Sequence, residues 1–173
     1  MTRKSPIRHL TAGVLLPLAL ATALLAGGCG FQPRGQIDGS LPSPLHIAGL
    51  SPYSTLHREL TQQLEAVHGT LSTSADSAAA TLHIVRRDSE ARVLSVDSRN
   101  KASEYELEES ARIRVTRGSI AGSEGDEETV RVMRIQFRPS AGVLSGERES
   151  ELLRRDMVRE LAQKILARVA ARN

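Results

Sequence analysis

The chain has 173 residues with one cysteine, no tryptophan, two tyrosines, two phenylalanines and a formal net charge of +3. A single cysteine excludes an intrachain disulfide framework, and so few aromatics leave no stacking platform for bases or sugars. The charge does not point to nucleic acid either: Arg3, Lys4 and Arg8 supply three positives within residues 1–28, which hold no acidic residue, so the remainder is formally neutral.

Residues 1–28 read as a signal peptide. A basic start is followed by the apolar run from Leu10 to Leu25 and by the small residues Ala26, Gly27 and Gly28, the three-part layout of a secretory leader. The run is shorter than the ~20 apolar residues of a membrane-spanning helix and is interrupted by Pro17. "AGGC" resembles a bacterial lipobox, with Ala26 where leucine is commoner, and it makes Cys29 the predicted lipid attachment point. Several acyl chains, at about 0.8 kcal/mol per buried CH₂, would hold the chain on a membrane. Gly30 follows the cysteine, in place of the aspartate that commonly retains lipoproteins at the inner membrane, which points to the outer membrane. Residues 29–43, rich in Gly, Pro and Ser, read as an extended tether, and residues 44–173 as one domain.

Within that domain Leu45 to Leu50 is a predicted strand. A helix follows, with start signals at Ser51-Pro52 and Ser54. Its stripe is Leu56, Leu60, Leu64 and Val67, and Gly69 is expected as a left-handed cap. "ATLHIVRRDSEARVLSVD" spreads its apolar residues over two short alternations. In "SEYELEESARIRVT" the row Ser103, Tyr105, Leu107, Ala111, Ile113 and Val115 faces one way and Glu104, Glu106, Glu108, Arg112 and Arg114 the other, with Glu109 breaking the inner row. After a polar turn, "TVRVMRIQFRP" is a strand with Met133, Ile135 and Phe137 on one face. The last element, Glu147 to Arg172, is a helix with Leu153, Met157, Leu161, Ile165 and Val169 at four-residue spacing, widened by Leu152, Val158 and Leu166. Glu147, Glu149 and Glu151 near its start and Arg168 and Arg172 near its end suit the helix dipole. These elements predict an α/β (α+β) two-layer sandwich: two amphipathic helices on one face of a roughly four-stranded mixed or antiparallel sheet whose other face is wet.

No catalytic constellation assembles from this order. The histidines are scattered without metal-ligand spacing, the glycines of 118–125 lack the Lys-Ser/Thr ending of a phosphate loop, and an acylated Cys29 is no nucleophile. The Glu104, Glu106, Glu108 row reads as a solvated face that Arg112 or Arg114 neutralises, not as an acid/base pair. The chain is expected to be no enzyme and to need no cofactor or metal.

Three stretches together resemble the lipopolysaccharide-assembly lipoprotein LptE (RlpB) family: "AGGCGFQPRG", "SRNKASEYELEESARIRV" and "ERESELLRRDMVRELAQKILARV". The resemblance implies a lipid-anchored subunit on the periplasmic side of the outer membrane. That subunit plugs the LptD β-barrel, supports its assembly and helps deliver lipopolysaccharide to the outer leaflet. It also implies lipopolysaccharide contacts, for which the cations Arg99 and Lys101, before the long strand, and Arg148, where the last helix starts, are the candidates. A stand-alone lipid- or ligand-binding lipoprotein, with the Leu-rich faces lining a pocket, is the alternative.

Overall fold

A computed structural model describes residues 40–117, 126–138 and 143–172, with helix backbone alone at 143–145. The strands are β1 (Leu45–Ala48), β2 (Leu71–Ser72), β3 (Ala80–Val96), β4 (Ala102–Arg117) and β5 (Glu128–Phe137), and the helices are α1 (Thr55–Ala66) and α2 (Val143–Ala171). One five-stranded sheet runs in the order β2-β1-β3-β4-β5. β1 is parallel to both of its neighbours, while β3, β4 and β5 form an antiparallel meander. The sequence reading therefore has the fold class right and misses one strand: β2, two residues long, is too short to carry an alternation.

The two alternations of the middle segment are a single strand of 17 residues. The ladder between β3 and β4 is irregular between Ile84 and Arg86, and an extra residue at a bulge reverses which face the following side chains point to. Leu82 and Ile84 face the core before the bulge, and Arg87 and Ser89 turn to the same face after it. Gly49, just beyond β1, has φ 84°, and a Cβ there would stand 2.2 Å from the carbonyl oxygen of Ile84. Only glycine allows the chain to pass so close.

Helix α1 starts at Ser54, whose Oγ accepts the His57 N–H at 3.2 Å. Ser51 and Pro52 belong to the turn before it, where the Ser54 N–H donates to the Ser51 carbonyl. At the other end the left-handed residue is His68, with φ 61°, and not Gly69. The N–H groups of His68 and Gly69 donate to the carbonyls of Glu65 and Leu64, the paired bonds of a Schellman motif. Gly69 is required for a different reason: a Cβ would sit 2.4 Å from Leu64 Cδ1.

The core is one cluster between sheet and helices. Leu56, Leu60 and Leu64 of α1 and Met157, Leu161, Ile165, Leu166 and Val169 of α2 meet Leu45, Leu82, Leu107, Ile113 and Val132 of the sheet. Leu152, expected to widen the α2 stripe, is 60% exposed. Helix α2 also begins earlier than expected, so Glu147, Glu149 and Glu151 lie past its first turn and do not cap its dipole. Arg168 lies in the last turn of α2 as expected, and it and Arg172 pair with Glu128 at the start of β5, at 3.1 and 3.2 Å. On β5, Met133, Ile135 and Phe137 do share a face, but it is the open one; Val130, Val132 and Gln136 face the helix.

Candidate functional site

The inner row of β4 is interrupted by Glu109, only 2% exposed. A bare carboxylate there would be costly. Here Oε1 accepts from Ser89 Oγ at 2.5 Å and from Arg154 Nη1 at 2.9 Å, and Oε2 accepts from Arg87 Nη2 at 3.3 Å. Arg154 also donates to Ser89 Oγ and to the Glu90 carbonyl. One buried carboxylate thus ties α2 to both strands of the hairpin.

Further along the hairpin a second polar knot joins the end of β5 to the start of α2. Ser150 Oγ donates to Gln136 Oε1 at 2.7 Å, Arg138 Nε donates to the same oxygen at 3.1 Å, and Arg138 Nη2 bonds Ser150. The Arg138 guanidinium lies over the Tyr105 ring, 4.7 Å from its centroid. The Arg138 N–H donates to the Ser103 carbonyl at 2.7 Å. These bonds bring the β3–β4 turn, the end of β5 and the first turns of α2 to one end of the sheet.

Arg99 and Lys101 lie in that turn. Asp97 Oδ1 accepts the N–H groups of Arg99 at 2.9 Å and Lys101 at 3.0 Å, and Asn100 takes the left-handed conformation with φ 59°. Asp97 also pairs with the Arg99 guanidinium at 3.4 Å, which partly offsets its charge. Lys101 is exposed, and so is Arg148 on the flank of α2. All three candidate cations therefore lie at the same end of the sheet, although 47 positions separate Lys101 and Arg148 in the chain. Arg138, which anchors that end, was not singled out from the sequence. Its signals were Gln136 in the inner row of β5 and Ser150 within a helix of otherwise strong helix formers. Cys29 lies outside the described residues.

The acidic row of β4 faces the open side as expected, but its neutralising partner differs. Arg92 of β3 pairs with Glu106 at 2.6 Å, whereas Arg112 reaches out to Glu127 at 3.6 Å. Among the described residues no three His, Cys, Asp or Glu side chains gather as a metal site. None of the described helices is long and apolar enough to cross a membrane.

The fold has solved counterparts. A rare lipoprotein B from Shewanella oneidensis matches with 23% identity and a TM-score of 0.64, over 74% of this chain and 94% of that one. A lipoprotein B from Nitrosomonas europaea matches with 26% identity and a TM-score of 0.64, over 82% and 91%. A minor lipoprotein from Acinetobacter baumannii matches with 19% identity and a TM-score of 0.62, over 77% and 95%. No curated protein matches the chain. The family model described as "LptE: Lipopolysaccharide-assembly" matches residues 43–169, nearly the whole described domain. The chain belongs to the LptE lipopolysaccharide-assembly family.

Proposed function

We propose that this protein is an outer-membrane lipoprotein, acylated at Cys29 and held on the periplasmic side, which plugs and supports assembly of the LptD β-barrel and helps deliver lipopolysaccharide to the outer leaflet. The family match over residues 43–169 carries the reading. The physics of the domain supports it. A wide barrel has a polar lumen, and this domain turns charged rows outward from a closed apolar core. The chain enters β1 at the sheet end where Leu45 lies beside Ala80, and the cationic turn lies at the other end of β3. Seventeen residues of strand span roughly 55 Å at about 3.3 Å per residue, more than the ~30 Å hydrocarbon core of a bilayer. That length holds the cationic turn far from the sheet end at which β1 begins.

Arg99, Lys101 and Arg148 are the proposed contacts for lipopolysaccharide phosphates, which guanidinium and ammonium groups bind through charge-assisted hydrogen bonds. The stand-alone ligand binder loses its predicted pocket lining, since the Leu-rich faces of both helices are spent in the core.

Affinity purification of the tagged full-length protein from detergent-solubilised outer membranes, with a Cys29→Ala control, tests the assembly role. One large β-barrel protein in about equal amount supports it, and recovery of the lipoprotein alone overturns it. The double reversal Arg99→Asp with Lys101→Asp is expected to weaken lipopolysaccharide binding in a pull-down at physiological salt while leaving barrel recovery intact. Unchanged binding rejects these two cations as contacts.

A further inference from the structure

The open face of β5 carries an apolar row that the core does not use. Met133, Ile135 and Phe137 are 44%, 68% and 61% exposed. They stand at alternate positions on the edge strand of the sheet. A contiguous exposed apolar row beside polar surroundings marks an interaction surface more often than a scatter of single residues does. Its neighbours on β4 are equally regular: Glu108 lies opposite Met133, Glu106 opposite Ile135 and Glu104 opposite Phe137. Facing positions on adjacent strands hold their Cβ atoms about 5 Å apart, so each apolar side chain has a carboxylate at its flank. Arg92 pairs with Glu106 and the exposed Arg131 lines the same face beside Glu108 and Met133, but Glu104 and Glu108 make no ion pair among the described residues, so the part of the face beside Ile135 and Phe137 stays acidic.

That charge pattern selects the occupant. A phosphate-bearing lipid would bring anions against a row of carboxylates and leave them unpaired. A second copy of this face would set the same row against itself. A segment of a partner protein that alternates apolar side chains with Lys or Arg meets both rows at once, because an extended chain presents every second side chain to one side. The edge itself narrows the geometry. Lys164 donates to the Arg131 carbonyl and Arg134 to the Met133 carbonyl, so the lower half of the β5 edge is blunted against strand addition in the manner of protected sheet edges. Side chains on the open face, and not backbone pairing along the whole edge, therefore carry the contact.

We infer that Met133, Ile135 and Phe137, with Glu104 and Glu108 beside them, form the docking surface for a basic, apolar, extended segment of the protein partner. Resting on the function proposed above, that segment is a lumen-facing loop of the β-barrel, since the wall strands of such a barrel turn their apolar side chains out to lipid and only polar ones inward.

The test uses the full-length lipidated protein in outer membranes, with a photo-crosslinking residue at position 135 and a control at exposed Leu152. The expected result is a crosslink from position 135 to a Lys- or Arg-containing loop peptide of the co-purified barrel, absent from position 152. The pair Ile135→Ser with Phe137→Ser, both at exposed positions, is expected to lower barrel recovery about tenfold or more. Glu104→Lys with Glu108→Lys is expected to lower it through repulsion while leaving the thermal midpoint unchanged. If wild-type protein recovers the barrel and these variants recover it equally well, the docking surface is wrong and the assembly role stands. Crosslinks only to lipid or to a second copy overturn the inference in the same way. Failure of the wild type to recover any barrel removes the assembly role, and this inference with it.

Discussion

The two halves of the long β3–β4 hairpin are built on opposite principles. Between Ala80 and Ile84 the inner face is apolar, with Leu82, Ile84 and Ile113 sealed under the helices. Beyond the bulge the same face carries Arg87, Ser89 and Glu109, then Tyr105 under Arg138, and by Val93 it is half open to solvent. The first half holds together by burial, which is non-directional and tolerant of volume-conserving change. The second is held by hydrogen bonds with fixed geometry, which fix where the turn and the start of α2 stand. The cations proposed to meet lipopolysaccharide and the exposed row of β5 both belong to this second half.

The largest expected effect breaks the apolar half. Leu161 is fully buried in the middle of α2, and Leu161→Ala is expected to cost about 2–5 kcal/mol, from lost burial and the cavity left behind. The denaturant midpoint of the purified protein should fall steeply. A loss below about 1 kcal/mol would mean that the core is not the closed cluster described. The polar half should answer differently. Glu109→Gln keeps the shape and removes the charge, leaving Arg87 and Arg154, each 30% exposed, against a neutral amide. A loss of about 1–3 kcal/mol is expected, smaller than for a fully buried pair because water reaches the guanidinium groups. The comparison sharpens with Arg87→Leu, Glu109→Leu and Arg154→Met together. Replacing a buried ion network by apolar groups is often neutral or stabilising, so most of the stability should return while barrel recovery does not. Full recovery of both would reduce the network to ordinary packing.

The same division explains what was legible in the sequence. The apolar half announces itself: the Leu56, Leu60, Leu64 stripe and the inner row of β4 are periodic, and periodicity survives into the structure because burial depends only on which face a residue occupies. Glu109 was visible as a break in its row, yet its partners were not, since Arg87 and Arg154 come from other elements. The β5 row was legible as a row but not by side. Met133, Ile135 and Phe137 are more apolar than the Val130, Val132, Gln136 set that is actually buried, and only the register with β4 decides between them. Arg99, Lys101 and Arg148 converge on one end through hydrogen bonds made by Arg138, Gln136 and Ser150, and long-range bonds leave no local pattern.

The smallest predicted effect comes from the open side of the apolar half, and its sign is fixed. His83 of β3 bonds Thr116 Oγ1 through Nε2 at 3.2 Å. Burial pushes its pKa below the ordinary value of 6.5, and the nearby charges of Arg114 and His46 push the same way. The unfolded chain therefore binds a proton at this ring more readily than the folded one. Stability contributed by the neutral ring is fully present above pH 6.5 and drains away as the pH falls through that value toward the lower, folded-state pKa. His83→Gln retains a polar partner for Thr116 but removes the titration, so the wild type should lose more stability than the variant between about pH 7 and pH 5. Denaturation midpoints of both proteins across that range check it through their difference, in which the carboxylates and other histidines common to both cancel. Parallel curves would mean that His83 is as well solvated when folded as when unfolded, and that the wet face begins one layer deeper than its burial implies.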